Sequence, residues 1–466
     1  MGHLRDPLLP DTPVASRRNS LKLDVPGLRK HDSVLEQLVA SQPLHAGDVL
    51  YPTNIAVAAT RAATPRREFL YQVKLDEILE SLPAQRLAGL VTASLFAGYA
   101  ALFSLQHVIK VWFGIPDDDS SASHHFSFAI TSLYVWNLVF RLGHNVLLRP
   151  FSPRRRALIG LCSMAISMLV LALVVFHLGF KSTLVVAVAY AFGGIAVGTF
   201  ETNYSVVLAA LGHRTKIFGI SGIPVGIFLV IVPGFIAVTA GLPVVYIYWC
   251  VLGLLVVGVG VLLYGLNFPD IDWLVSSDEE ESIPGEQSPT IVAIDHPHSS
   301  RTERWMLPVV SVGLVFTLNM MFVSAFSPGV LLYLYNGATV SVAGTAVSTG
   351  YFFATFSSFG FVADVLSRKR IYAKKPEHHP VRFLALTAAG VGVILLQNPL
   401  IAPLGTFLVF YANGSIYAQS CRWMDRVLDA KVLVMANSVF FFLGDCGSVI
   451  GAVLIPFIRD AMAPIT

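Results

Sequence analysis

Charge is what this chain has least of. Only 13% of its 466 residues are Asp, Glu, Lys or Arg, about half the ~25% of an ordinary soluble domain. That deficit excludes a soluble globular protein of this length. The 55% hydrophobic content and a mean hydropathy of +0.66 instead indicate a chain that crosses a membrane many times. Catalytic signatures are missing as well. The absence of a P-loop argues against a primary ATP-driven pump. The lack of HExxH, GxSxG and clustered Cys/His ligands predicts a protein that is not an enzyme and holds no cofactor or metal. Cysteines are few: Cys162, Cys250, Cys421 and Cys446 lie in or beside apolar runs without CxxC spacing. They read as small buried hydrophobes. No cleavable apolar core opens the first ~84 residues, which argues against a signal peptide. A net charge of +3 is too small, and too confined to loops, to indicate a nucleic-acid partner.

What is present is a series of long apolar runs. Eleven spans are expected, about 85–114, 125–148, 156–178, 182–211, 215–240 and 243–267, then 306–334, 340–366, 381–397, 400–420 and 432–458. Each is long enough for a bilayer, since ~20 residues at 1.5 Å rise cover ~30 Å of hydrocarbon. Residues 1–84 read as a soluble, largely disordered tail, with helical spacing at Phe69, Leu70, Val73, Ile78 and Leu79. Within that tail, Asp6-Pro7-Leu8-Leu9 resembles an acidic dileucine sorting signal. Residues 268–304 carry Asp278-Glu279-Glu280-Glu281 and read as a solvated acidic linker. This divides the chain into a tail, a six-span half (85–267), the linker and a five-span half (305–466). Arg149–Arg156, His213–Lys216, Ser367–Lys375 and Arg422–Lys431 fall on alternate loops, opposite the acidic Asp117-Asp118-Asp119. That asymmetry predicts a cytosolic N-terminus and, with eleven spans, an external C-terminus.

Polar groups at membrane depth are the candidate functional residues, because a buried charge is costly unless it faces protein or water. Asn137 and Arg141 lie one turn apart on span 2, followed by His144, so the three share a face. Span 4 holds Glu201 and Asn203; span 7 holds Asn319; span 8 ends in Asp364 and Arg368; span 10 holds Asn413 and span 11 Asp445. Asp364, Arg368, Asn413, Asn137, Arg141 and Asn203 are expected to bind substrate or gate its path. Glu201 and Asp445 are the candidates for proton coupling, and Arg141 is expected to pair with Glu201 across a cavity. Asp425 and Arg426 are expected to make loop ion pairs. Recurring glycines, among them Gly193, Gly194, Gly198, Gly222, Gly226, Gly444, Gly447 and Gly451, predict close helix contacts, and Pro224 and Pro233 a break in span 5.

The last two spans resemble the end of the equilibrative nucleoside transporter family. Asn413-Gly414-Ser415-Ile416-Tyr417, the charged stretch Arg422–Lys431 and Phe440-Phe441-Phe442-Leu443-Gly444-Asp445-Cys446-Gly447 occur in that family's order. Asp364-Val365-Leu366-Ser367-Arg368 is similar to its span 8 motif, and Gly360–Arg370 also suits a loop motif of the wider major facilitator superfamily. The resemblance implies an all-α, polytopic, major-facilitator-like protein of 6+5 helices that carries nucleosides or nucleobases by alternating access. Two other functions fit the residues: a carrier of amino acids or other small organic solutes, and a non-transporting receptor or scaffold. The expected partners are a small-molecule substrate, a coupling proton and the lipid bilayer. The expected location is the plasma membrane or an endo-lysosomal or vacuolar membrane.

Overall fold

The computed structural model describes residues 82–115, 121–266, 305–335, 337–374, 379–428 and 430–462. The tail with its Asp6–Leu9 string and its amphipathic stretch, the acidic loop Asp117–Asp119 and the 268–304 linker lie outside the described residues.

Helices occupy all eleven expected positions. They are α1 (Leu82–Ser104), α2 (Ser121–Leu147), α3 (Pro153–Leu169), α4 (Thr183–Ala210), α5 (His213–Thr239), α6 (Val245–Gly260), α7 (Met306–Ser324), α8 (Thr349–Tyr372), α9 (Leu384–Leu395), α10 (Ala402–Val427) and α11 (Ala430–Ala461). π-helical turns extend α3 to His177, α6 to Gly265 and α7 to Val330, the last with a kink at Ser327. Eight of the eleven, α1–α7 and α11, are long and apolar enough to cross a membrane. The polar residues of α8 and α10, and the shortness of α9, set those three apart.

Three local expectations are corrected. Span 1 does not run to 114: it breaks at Leu105, and Gln106–Phe113 forms a separate short helix ended by Gly114 at φ 67°. Span 8 does not begin at 340. Residues Thr339–Val342 and Thr345–Ser348 pair as β1 and β2 of an antiparallel hairpin, with Val340 opposite Val347. Its two-residue turn, Ala343-Gly344, has φ of 49° and 83°, the primed geometry that matches strand twist. The alternation of Thr, Val and Ser here has the period of a strand and not of a membrane helix. Third, α5 continues through Pro224 and Pro233 without interruption. Of the cysteines, Cys421 is buried, whereas Cys162 and Cys250 are exposed.

The packing repeats along the chain. Helix α1 lies against α5, and α2 and α3 against α4; six positions later α7 lies against α11, and α8 and α9 against α10. The two sets of pairings correspond position by position. The two groups meet where α5 runs along α8 and where α11 meets α2 and α4. Small residues make the closest approaches possible. A Cβ on Gly194 would strike the main chain of α2 at Leu133 and Asn137, and one on Gly226 would strike Ala93 of α1. In the second group, Gly447 and Gly451 of α11 face the Thr317 and Met321 carbonyls of α7. Main chain cannot rotate away as a side chain can.

Gly226→Val and Gly447→Val are therefore expected to destabilise the purified protein by about 1–3 kcal/mol through overpacking. Gly253→Val, with nothing within 4 Å of the new Cβ, is expected to be silent. Thermal unfolding in detergent measures the contrast.

Candidate functional site

Alternation of the helices places the Arg149–Arg156 loop and the junctions α4–α5, α8–α9 and α10–α11 at one end of the bundle, called here the basic end. Arg154, at the start of α3, confirms the alignment by donating to the Leu262 and Leu263 carbonyls at the end of α6.

The centre of the site is Arg141. Asn137, Arg141 and His144 are all buried, as one shared helical face requires. Only 2% of the Arg141 side chain is exposed, and its guanidinium is held on every side. Nη2 donates to Glu201 Oε2 of α4 at 2.5 Å, Nε donates to Asp445 Oδ2 of α11 at 2.6 Å, and Nη1 donates to the Val197 carbonyl at 3.2 Å. The Phe441 ring lies 5.2 Å from the guanidinium carbon. The expected Arg141–Glu201 pair therefore exists, but Arg141 is shared with Asp445, from the other group of helices. A guanidinium suits this role, because its planar fork offers separate donors to separate acceptors.

A second pair lies nearby. Arg368 binds Asp364 in bidentate fashion, Nε to Oδ1 at 2.9 Å and Nη2 to Oδ2 at 3.1 Å. Arg368 also reaches out of α8 to donate from Nη1 to the Ile220 carbonyl of α5 at 3.3 Å. Ile220 lies four residues before Pro224, which has no N–H to return to that carbonyl. Arg368 thus satisfies an acceptor that the proline leaves open, which explains how α5 stays helical there. On α10, Gly414 lets the backbone pass directly against Asp364 and Ser367.

Tyr417 of α10 joins the two pairs. Its hydroxyl donates to Glu201 Oε1 at 3.2 Å, and the Arg368 guanidinium carbon lies 4.0 Å from its ring centroid. The chain of contacts therefore runs Asp445–Arg141–Glu201–Tyr417–Arg368–Asp364 through α11, α2, α4, α10 and α8. Three carboxylates face two guanidiniums in it. Glu201 and Tyr417 also line a small crevice bounded by α1, α4, α5 and α10, together with Thr92, Phe96, Phe200 and Ser205.

The asparagines stand apart from this cluster. Asn413 accepts from Asn319 Nδ2 at 2.8 Å, and Asn319 in turn accepts from Thr387 at 2.8 Å, so these three bind α10, α7 and α9 to one another. Asn203 is fully buried and donates to Thr199 of its own helix. Asn137 is buried beneath the glycines of α4.

At the basic end, Lys216 in the first turn of α5 is completely buried and donates to Asp425 Oδ1 of α10 at 2.6 Å. Tyr372, the last residue of α8, donates to Asp425 Oδ2 at 2.6 Å, and Arg422 lies over the Tyr372 ring. Asp425 is thus a link between the two helix groups and not a loop ion pair. Its neighbour Arg426 is exposed. A further tie joins α2 to α11, where Asn145 Nδ2 donates to Ser438 Oγ at 2.9 Å.

Tyr417, Lys216 and Tyr372 carried no assigned role in the sequence. A signal existed for Tyr417, four residues beyond Asn413 and so near it on the helix. None existed for Lys216, whose loop-side lysine looks like any other.

Removal of the shared cation is the most damaging change this geometry predicts. Arg141→Ala is expected to cost ~3–5 kcal/mol of stability, since two carboxylates lose their partner inside the bundle. Asp445→Asn combined with Arg141→Ala is expected to recover part of that loss. A thermal double-mutant cycle on purified protein reads the coupling.

No protein-family model and no curated protein sequence matches the chain. Solved structures do resemble it. The transporter FucP of the major facilitator superfamily, in an outward conformation, is 14% identical, with a TM-score of 0.55 over 82% of this chain and 93% of that one. Another structure of FucP, the E. coli fucose:proton symporter, is 15% identical, with a TM-score of 0.53 over 80% and 91%. The human organic anion transporter MFSD10 (TETRAN) is 14% identical, with a TM-score of 0.55 over 82% and 96%. At these identities the likeness concerns architecture: the chain is an all-α, multi-pass membrane protein with a major-facilitator-like fold.

Proposed function

We propose that this chain is a secondary transporter that moves a small polar solute by alternating access, with the two helix groups rocking about the Arg141 cluster. The observation that carries the reading is the placement of that cluster. Arg141 binds Glu201 within one group and Asp445 of the other, at the interface where the repeats of such a protein would separate. The Arg141 cluster thus straddles both groups. The fold it shares with the fucose:proton symporter and the organic anion transporter supports the same reading.

In this proposal the basic end faces the cytosol, because Lys and Arg concentrate on cytosolic loops. Lys216–Asp425–Tyr372 and Asn145–Ser438 hold that end shut. Opening toward the cytosol requires the Lys216–Asp425 and Asn145–Ser438 bonds to break. Asp364 and Arg368 form the inner gate through the Ile220 carbonyl. Three carboxylates against two guanidiniums leave one negative charge, so Glu201 or Asp445 is placed to take a coupling proton when the cargo is neutral. For the cargo we propose nucleosides or nucleobases, on the motifs of α8, α10 and α11, with Asn413, Asn137 and Asn203 as supporting polar groups.

Uptake of labelled nucleosides compared with labelled amino acids, into cells expressing the chain, tests the cargo. Flux of amino acids alone would remove the nucleoside assignment, and flux of neither would remove both. A cross-link at the basic end tests the mechanism. With Asn145→Cys and Ser438→Cys oxidised to a disulfide, uptake is expected to stop and to return on reduction. Undiminished uptake by the cross-linked protein would rule out alternating access through that end.

A further inference from the structure

The crevice beside Glu201 has a wall of unusual chemistry. Its polar lining consists of oxygen alone: the Glu201 carboxylate and the hydroxyls of Thr92, Tyr204, Ser205 and Tyr417. Among the described residues, no side-chain nitrogen lines it. Two of these hydroxyls spend their protons on neighbouring carbonyls, Thr92 on Ala88 at 3.3 Å and Tyr204 also on Ala88 at 3.2 Å. A third, Tyr417, donates to Glu201. Those three oxygens therefore retain acceptor capacity and have no proton left to offer. Ser205 is the exception: it is 4% exposed, lines the crevice, and its Oγ has no hydrogen-bond partner among the described residues. A buried hydroxyl left unpaired is costly, and such a group calls for an occupant. The remaining walls include Phe96 and Phe200.

Charge points the same way. The cluster to which Glu201 belongs has one carboxylate more than it has guanidiniums. An anion in this crevice would meet the Glu201 carboxylate and the net negative charge of the cluster, with the Ser205 hydroxyl as its one side-chain donor among the described residues. We propose that the Glu201 crevice binds a single compact positive charge, either the head group of a protonated primary amine or an alkali ion, held by Glu201 Oε1, Ser205 Oγ and Thr92 Oγ1. The inference deepens the transporter reading, since an occupied crevice would balance the charge of the cluster during the cycle. Its binding test nevertheless does not depend on transport.

The experiment is thermal unfolding of the purified full chain at constant ionic strength and pH, in chloride salts of sodium, methylammonium and the bulky cation N-methylglucamine. A ligand that binds only the folded state raises its apparent stability. A rise of a few degrees in sodium or in methylammonium, relative to N-methylglucamine, is expected. The salt that produces it identifies the alkali ion or the amine as the source. Ser205→Ala leaves the Arg141–Glu201 pair intact and is expected to weaken the response at least severalfold in midpoint concentration. Glu201→Gln is expected to abolish it. Equal melting in all three salts would overturn the proposal, as would a sodium or methylammonium response unchanged in Ser205→Ala. Stabilisation that appears on acidification alone, whatever the salt, would assign the crevice to a proton and overturn it as well. Salt-dependent stabilisation without uptake of any solute would leave the cation site standing and remove the transport reading.

Discussion

A guanidinium inside an apolar bundle has to be surrounded by acceptors, and Arg141 shows what that requirement does to a fold. Its three donors reach α4 twice and α11 once, and an aromatic ring covers another approach. In a medium of low dielectric each of these contacts is strong and the loss of any one is severe. Directional polar bonds thus join the two helix groups alongside aromatic contacts such as Phe228–Phe361 and Phe235–Phe353. Apolar contacts tolerate small shifts of one surface against another. A bidentate or shared ion pair does not; it is made or broken. That difference is suited to a structure with two discrete arrangements.

The same logic connects the deeper cluster to the basic end. Arg368 is held by Asp364 in its own helix and captures the carbonyl that Pro224 leaves unpaired in α5. Nearer the end, Lys216 enters the bundle to meet Asp425, which also accepts from Tyr372. The Arg368–Ile220 and Lys216–Asp425 bonds cross from one group of helices to the other, so relative movement of the groups would break both together. Tyr417 ties the levels to one another, since its hydroxyl meets Glu201 while its ring supports Arg368. A change of charge at Glu201 has a direct physical route to Arg368 through this one side chain.

The asparagines show the opposite behaviour. Polar residues at membrane depth read alike in a sequence, yet Asn413, Asn319 and Thr387 satisfy one another within the second helix group. Interhelical amide bonds of this kind are ordinary adhesive between membrane helices. Glu201 and Asp445 differ because they keep partial exposure, 11% and 22% of their side chains, while paired with an arginine that has almost none.

Composition and periodicity were enough to establish that the chain crosses a membrane repeatedly and where nearly all its helices lie, because apolar length is a property of local sequence. The Arg141–Glu201 pair was legible for a similar reason: two opposite charges at matching depth, on helices close in the chain, have few other partners. The share taken by Asp445, 304 residues from Arg141, was not legible, since no local pattern records which helix faces which. Nor was the depth of Lys216, or the hairpin at Thr339–Ser348, where a β-branched alternation and an Ala-Gly turn passed for the start of a span. Pro224 signalled a break that never came, because the compensating donor, Arg368, arrives from another helix. Sequence determined which segments are buried and which charges need partners. Tertiary structure alone decided the partners, because a guanidinium is satisfied by whatever acceptors the packing of distant helices brings within 3 Å.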